Sequence, residues 1–347
     1  MTLGSNVYSS INAIKAVIAT VIGYLVGCWL GFWLDVPEMY AWIVVTILVV
    51  MSSQPNLGGA LEKAKMRFLG TIVATLCSIV ILLLMPGFPI WQMMLGLCLI
   101  AVGVFTATAS TKYMYAGVLG AITIAIILFG SRASLEIAIY RASEVFIGIT
   151  IAIIVNRYLF PIRASRRIYQ SFSQSMMCIN KLHQKLFVGD DHEDILVEIF
   201  THFSKQITLQ KEIVYEKEKI HLKQYKATTR YLRQLYRYTC VIYEYINRYP
   251  KKRERFANSN EFKALHEAIR VLFEKISNSF KQQKFDDYSD DFKCLTKLLA
   301  AFTETLNIQV EFRYASTLIF SLNMIVDTLQ AIEKTQNLKT DSLQNHS

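Results

Sequence analysis

Long apolar segments separated by short polar breaks make up the first part of the chain. A helix needs about 20 mostly apolar residues to cross a hydrocarbon core of about 30 Å, where lipid offers the backbone no hydrogen-bond partners. Six segments show this pattern, although the second is short for a span. They are residues 11–34, 40–53, 66–85, 90–109, 113–130 and 137–160. The pattern predicts an all-α protein that begins with a six-helix transmembrane bundle over residues 1–162.

The pattern changes after Pro161, where proline cannot continue the hydrogen-bond ladder of a helix. Apolar residues now recur at spacings of three and four, as between Leu295 and Leu306, which is typical of helices that bury one face. No strand-like alternation of useful length is present. We predict a cytoplasmic helical bundle of about five helices over residues 163–335, followed by a polar tail over 336–347.

Charge follows the same boundary. Only eight of the 37 Lys and Arg residues and five of the 27 Asp and Glu residues precede residue 163. Cationic residues in short loops stay on the cytoplasmic side, and Lys63, Lys65, Lys112 and Arg157 mark alternate ends of the predicted helices. Both termini are therefore expected in the cytoplasm. The first apolar run has no basic leader and no small-residue cleavage site, so we predict an uncleaved anchor.

Several functional classes find no support in the sequence. The six cysteines form no Cys-x-x-Cys pair, and the six histidines form no His-x-x-x-His pair, so neither a disulfide framework nor a metal site is predicted. No Gly-x-x-x-x-Gly-Lys-Ser/Thr phosphate loop and no Ser/His/Asp arrangement is present. We therefore expect no enzyme and no cofactor.

Basic residues alternate with tyrosines in the segment 225–255, a composition that also occurs in nucleic-acid-binding proteins. From Tyr231 to Tyr249, four of the tyrosines together with Leu235 and Ile242 recur at spacings of four and three, which is the spacing of a helix face turned toward a bundle core. We therefore predict no nucleic-acid partner. The basic cluster that begins at Arg163 is expected to meet the anionic headgroups of membrane lipids.

Ionisable residues inside membrane helices are costly and therefore become functional candidates. Arg141 and Glu144 lie three residues apart, so they share a helix face and can form an ion pair. Arg141 also lies on the predicted outer side, against the topological trend, which favours a pathway or ion-pair role. For Lys15, Arg67 and Lys112 the alternative is topological, because long cationic side chains near helix ends reach the headgroups. Trp42 is expected to anchor the short second helix at the membrane interface.

Hydroxyl side chains surround two of these cations. Thr71 follows Arg67 by one turn, and the adjoining Gly70 would let a ligand or a helix approach. The fourth helix ends in a run of hydroxyls that includes Thr108 and Thr111, next to Lys112. These hydroxyls could line a wet cavity and bind a carboxylate, or they could bond back to carbonyls of their own helix.

Two motifs in the first part of the chain are distinctive. They are Ser52-Ser53-Gln54-Pro55-Asn56-Leu57-Gly58-Gly59-Ala60 running into Lys65-x-Arg67-x-x-Gly70-Thr71, and Arg141-x-x-Glu144-x-x-x-Gly148 ending in Asn156-x-x-x-Phe160-Pro161. Over residues 10–165 the chain resembles the fusaric acid resistance and aromatic acid exporter family. The resemblance implies efflux of aromatic or other organic acids across the bacterial inner membrane. It further implies that Arg67 and Arg141 bind an anionic substrate, with Glu144 as counter-ion or proton carrier.

The chain departs from the longer members of that family because it has one membrane bundle rather than two. This difference favours a homodimer whose partners are a small organic anion and membrane lipids. Two alternatives stay open, namely a passive organic-anion channel and a membrane-anchored helical scaffold without transport. The candidate substrate-binding or pathway residues are Arg67, Thr71, Thr108, Thr111, Lys112, Arg141 and Glu144.

Overall fold

The computed structural model describes most of the chain. The described residues are 3–36, 38–52, 57–130, 133–187, 193–216, 221–248, 258–308 and 316–344. Within them the structure has twelve α-helices and no strand, which confirms the predicted all-α class. The chain divides into two compact units, Met1–Arg163 and Ala164–Ser347.

The described part of the N-terminal unit contains six helices. They are α1 (Leu3–Leu34), α2 (Met39–Met51), α3 (Leu57–Leu84), α4 (Pro89–Ala109), α5 (Met114–Phe129) and α6 (Leu135–Tyr158). Among the described residues, α1, α3, α4 and α6 are long and apolar enough to cross a membrane, whereas α2 and α5 are shorter apolar helices. The structure therefore shows four candidate spans, and a bundle with six spans stays a prediction.

Helix α3 begins at Leu57 and not at Met66, where the sequence pattern placed it. The segment between them consists largely of Leu, Ala, Glu and Lys, which are strong helix formers, so the helix continues through these charged residues. Lys63 and Lys65 therefore lie on α3 and not in a loop. Arg67 lies about three turns into the helix and not at its start.

Small residues let the helices of this unit approach closely. Helix α3 packs against α5 and α6, and α2 packs against α1 and α6. A Cβ atom at Gly70 of α3 would collide with the backbone of Ala116 on α5, and one at Gly148 of α6 would lie 2.7 Å from the Cβ of Thr46 on α2. Van der Waals contact between such surfaces is the main attraction between helices in lipid.

The described part of the C-terminal unit also contains six α-helices, one more than predicted. They are α7 (Ala164–Gln184), α8 (Glu193–Ile213), α9 (Leu222–Arg248), α10 (Asn260–Gln282), α11 (Ser289–Ile308) and α12 (Ser316–Gln344), with a short 3₁₀ turn at Lys185–Phe187. The polar tail predicted from residue 336 is wrong in its start, because α12 continues to Gln344. That stretch contains neither proline nor glycine, so nothing in it stops the helix.

Aromatic and aliphatic side chains fill the core of the C-terminal unit. Phe172 of α7 and Phe280 of α10 are fully buried with ring centroids 5.5 Å apart. Gln336 is also buried: its amide donates to Thr228 of α9 at 2.7 Å, and its oxygen accepts from the Tyr169 hydroxyl at 3.2 Å. These bonds hold α12 against α7 and α9 at the position where the sequence predicted a tail.

Candidate functional site

Polar and charged side chains meet inside the N-terminal unit, between α2, α3, α5 and α6. They surround a small cavity of about 30 Å³. Its lining residues are Trp42, Arg67, Thr71, Leu119, Ile122, Thr123, Ile126, Arg141, Glu144 and Val145. The structure thus brings four of the predicted site residues together: Arg67, Thr71, Arg141 and Glu144.

Arg67 is buried with most of its hydrogen-bonding capacity unused. Its side chain is 5% exposed, and Nη2 donates to the hydroxyl of Thr46 at 3.0 Å. Among the described residues, Nε and Nη1 have no hydrogen-bond partner, and no carboxylate forms an ion pair with the guanidinium. The Tyr115 hydroxyl interacts with the guanidinium electrostatically, but without hydrogen-bond geometry. Arg67 therefore presents two free donor nitrogens in a buried site.

Arg141 and Glu144 form the ion pair that their spacing on α6 predicts. Arg141 Nη1 lies 2.8 Å from Glu144 Oε2, and the Glu144 side chain is 4% exposed. The guanidinium of Arg141 also lies over the ring of Trp42, 4.4 Å from its centroid. A cation over an aromatic face is attracted by the ring quadrupole. Arg141 is therefore held on one side by a carboxylate and on the other by an aromatic ring.

The charges around the cavity do not balance. Two guanidinium groups face one carboxylate, which leaves a formal charge of +1 in a site with little exposure to solvent. An uncompensated charge is costly at low dielectric, and a bound anion would remove that cost. The rest of the lining is largely apolar, with Leu119, Ile122 and Ile126 of α5 on one side. The arrangement therefore suits a molecule that combines one negative charge with an apolar body.

Three predicted site residues do not reach this cavity. Thr108 is exposed, and its hydroxyl bonds to the carbonyls of Val104 and Phe105 in its own helix, which is the alternative that the sequence left open. Thr111 and Lys112 are exposed in the turn after α4, where the Lys112 ammonium lies 5.1 Å from the centroid of the Tyr113 ring. A pathway role for these three residues stays a prediction.

Sequence reasoning did not predict that Trp42 and Thr46 contact the arginines of the site, nor that Lys15 is buried. Trp42 was expected at the membrane interface, and instead it lines the cavity beneath Arg141. Thr46 follows Trp42 by one turn on α2, so the two share a face, and its hydroxyl links Arg67 to the carbonyl of Trp42. Lys15 was assigned a topological role, but it is fully buried and bonds to Asn156.

In the C-terminal unit, one group of three side chains could offer ligands to a metal ion. The ligand atoms of Cys178, Glu198 and His202 all lie within 4.8 Å of one another. Burial and the nearby Glu198 raise the pKa of the Cys178 thiol to about 12, which disfavours the thiolate that metals bind. Burial, with a further contribution from Lys205, lowers the pKa of His202. The absence of a metal site stays a prediction.

Comparison with known proteins agrees with the motifs that surround the cavity. The sequence profile described as "Fusaric acid resistance protein family" matches residues 12–347. No curated protein matches the chain significantly. The match extends through the C-terminal unit, beyond the residues 10–165 to which the two motifs pointed. The chain therefore belongs to the fusaric acid resistance protein family, a family of membrane transporters and not of enzymes, and it is a multi-pass membrane protein.

Proposed function

We propose that this member of the fusaric acid resistance protein family exports small organic anions, chiefly aromatic carboxylates, across the inner membrane of a bacterium. The buried guanidinium of Arg67 carries the proposal, because two of its nitrogens have no partner among the described residues. Ionisable residues inside a membrane protein are generally retained for function, since their burial is costly. A carboxylate that accepts from one of these nitrogens would pair with Arg67 and neutralise the cavity.

The lining of the cavity supports an aromatic substrate. Trp42 offers a ring face, and α5 contributes Leu119, Ile122 and Ile126. Small-molecule sites commonly combine an apolar wall with a few polar groups that fix the orientation of the ligand. In the proposed complex the carboxylate lies between Arg67 and Arg141, and the ring of the substrate packs against the apolar wall.

The size of the cavity supports a carrier over a passive channel. About 30 Å³ is enough for one or two water molecules, whereas sites for small organic ligands span about 300 Å³ or more. Binding an aromatic acid therefore requires helices to separate around the cavity. A site that must open for each substrate is expected to saturate and to turn over, which a permanently open channel does not.

Glu144 supplies a route for proton coupling. A substrate carboxylate that pairs with Arg141 competes with Glu144 for the same guanidinium. A buried carboxylate that loses its counter-ion takes up a proton rather than remain charged. Substrate and proton then cross in the same direction, so the protein exports the acid where the outward gradient of the acid exceeds the opposing gradient of protons.

The proposal includes a homodimer with both termini in the cytoplasm. Within the chain, α4 has only Gly96 and Ala107 buried among its 21 residues, so most of its surface is left for lipid or a second copy. The mass of the purified protein in detergent, measured by light scattering, tests the dimer. Accessibility of tags at the two termini in intact cells tests the orientation.

The function is tested by flux in reconstituted vesicles. Benzoate, 4-hydroxybenzoate and fusarate are supplied with and without a pH gradient. Wild-type protein should give saturable flux of at least one acid, and Arg67→Met should lower that flux by about tenfold or more, since a hydrogen bond to a charged group is lost. Arg157→Met is the matched control, because Arg157 is exposed near the end of α6.

The remaining outcomes separate the alternatives. No flux of any organic anion would leave the scaffold as the better explanation. Flux that neither saturates nor responds to the pH gradient would indicate a channel. Glu144→Gln should abolish the dependence on pH while some flux remains, and flux with an unchanged pH dependence would exclude Glu144 as the proton carrier.

A further inference from the structure

A second buried cation lies in the N-terminal unit, away from the cavity. Lys15 of α1 is fully buried, and its ammonium donates to the side-chain oxygen of Asn156 on α6 at 3.2 Å. The topological alternative for Lys15 does not fit this burial, because a side chain that reaches lipid headgroups would be exposed at its tip. Lys15 instead turns inward between α1 and α6, which pack against each other.

The surroundings of Lys15 leave donors unused. The ammonium has three hydrogens and accepts nothing, and among the described residues it forms no ion pair with a carboxylate. Asn156 is also fully buried, and its amide nitrogen has no partner within the described part of the chain. One turn before Lys15, the Asn12 amide donates to the Met51 carbonyl and so adds no negative charge. A positive charge and a free amide donor therefore lie side by side.

Helix α6 connects this pair to the cavity. Glu144, Gly148, Ala152 and Asn156 follow one another at intervals of four residues, and all four are buried. Residues at this spacing form one stripe along a helix, and twelve residues span about 18 Å. The stripe begins with Glu144 at the Arg67 cavity and continues with the small residues Gly148 and Ala152. It ends with Asn156, whose side chain bonds to Lys15.

We propose that Lys15 and Asn156 form a second binding site, or station, for the transported organic carboxylate, near the C-terminal end of α6. The inference rests on the proposed function, since it assigns this station to the same substrate. One carboxylate oxygen accepts from the Lys15 ammonium and the other from the Asn156 amide nitrogen. Because α2 packs closely on Gly148, the anion moves between this station and the Arg67 cavity along the stripe of α6 only when α2 separates from α6.

Two stations explain why the unit buries two cations, Lys15 of α1 and Arg67 of α3, at opposite ends of the stripe on α6. If Lys15 served only to fill space, a methionine of similar length would fill it without burying a charge. A carboxylate that leaves the Arg67 cavity would otherwise cross about 18 Å of apolar helix surface without a counter-ion. The second station places a positive charge at the far end of that path.

The test measures flux of the panel acid that the wild type transports best, offered to the cytoplasmic face of inside-out membrane vesicles. Lys15→Met and Asn156→Leu should each raise the half-saturating concentration by about tenfold or more, because each removes a donor to a charged ligand. Lys15→Arg keeps the charge and should restore most of the affinity. Lys65→Met is the matched control, since Lys65 is an exposed cation on α3, and it should leave the half-saturating concentration unchanged.

The results distinguish this inference from the proposed function. The second station would be overturned if Lys15→Met and Asn156→Leu kept the wild-type half-saturating concentration. If Arg67→Met lost flux in the same assay, the proposed function would remain in place. No wild-type flux of any panel acid would overturn both. If Lys15→Met does not elute as a folded protein in size-exclusion chromatography, Asn156→Leu decides, and an unchanged half-saturating concentration in that variant contradicts the station.

Discussion

The two units of the chain treat buried charge in opposite ways. In the C-terminal unit Glu216 is 7% exposed, and its two oxygens accept from the backbone nitrogens of Ala164 and Ser165 at 2.7 and 3.2 Å. Those nitrogens begin α7, where a helix has free N–H groups and a partial positive charge. In the N-terminal unit Arg67 and Lys15 each make one hydrogen bond to a neutral group. The first charge stabilises the fold, whereas the other two are the charges that we propose bind a ligand.

The two units also differ in where their large apolar side chains lie. Large apolar side chains such as Phe32 (85% exposed) and Trp33 (70% exposed) face outward from α1. The C-terminal unit instead collects its aromatic side chains in one core. Outward apolar groups are favourable only where the surrounding solvent is lipid, so the first unit has little hydrophobic driving force of its own. Its stability depends on close helix packing, and that makes a site that opens feasible.

The largest expected effect contrasts a core phenylalanine with one exposed to lipid. Phe172→Ala should destabilise the C-terminal unit by ~3–5 kcal/mol, because it empties a fully buried site. Phe105→Ala on α4, where the side chain is 69% exposed, should change the stability of its unit by less than ~0.5 kcal/mol. Denaturant unfolding in detergent measures both: tryptophan fluorescence follows the first unit alone, since all four tryptophans lie there, and far-ultraviolet circular dichroism follows both helical units. Equal effects would contradict the contrast between core and lipid-facing surface.

The second prediction concerns whether removal of a buried charge destabilises or stabilises the unit that contains it. Glu216→Gln should cost the C-terminal unit ~1–3 kcal/mol, because it weakens two charged hydrogen bonds at the start of α7. Arg67→Met should leave the N-terminal unit as stable as the wild type or more stable, by up to ~4 kcal/mol, because it removes a buried charge without an ion-pair partner among the described residues. A destabilised Arg67→Met protein would show that Arg67 is structural.

Protonation distinguishes the units as well, because all six histidines lie after residue 163. Burial lowers the pKa of His183 well below its usual value, and burial lowers the pKa of His266 to about 4; the two rings stack 4.3 Å apart. The unfolded chain binds protons at each site below a pKa of about 6.5, whereas in the folded unit His266 binds one only as the pH nears 4, and burial also keeps His183 unprotonated below its usual pKa. This stability is therefore present above pH 6.5 and is lost as the pH falls from about 6.5 toward 4.

The expected loss between pH 7 and pH 5 is about 2 kcal/mol for His266, and His183 adds a further loss of the same sign. Urea unfolding of the full chain, monitored by tyrosine circular dichroism, measures the loss at the two pH values. His183→Phe should reduce the dependence and leave the part that His266 contributes, since Phe fits beside Phe273 without a titrating group. A slope in His183→Phe equal to that of the wild type would mean that other groups cause the pH dependence.

Sequence patterns predicted the helices and the charged residues of the site, because both depend on spacing within one helix. The ion pair of Arg141 and Glu144 is of this kind. The partners of the other two cations could not be predicted, since Thr46 lies 21 residues from Arg67, and Asn156 lies 141 residues from Lys15. Such pairs depend on how helices pack. Residues 53–56 of the first family motif, and Arg132, lie outside the described residues.

The smallest expected effect belongs to the exposed ion pairs of the C-terminal unit. Lys275 and Asp291 lie 2.8 Å apart, but their side chains are 45% and 37% exposed. Solvent screens such a pair, so Asp291→Asn should cost less than ~1 kcal/mol and the cost should shrink in high salt. The distance matches that between Arg141 and Glu144, where the carboxylate is 4% exposed. If Asp291→Asn cost as much as Glu216→Gln, burial would not be what separates a structural charge from a surface one in this protein.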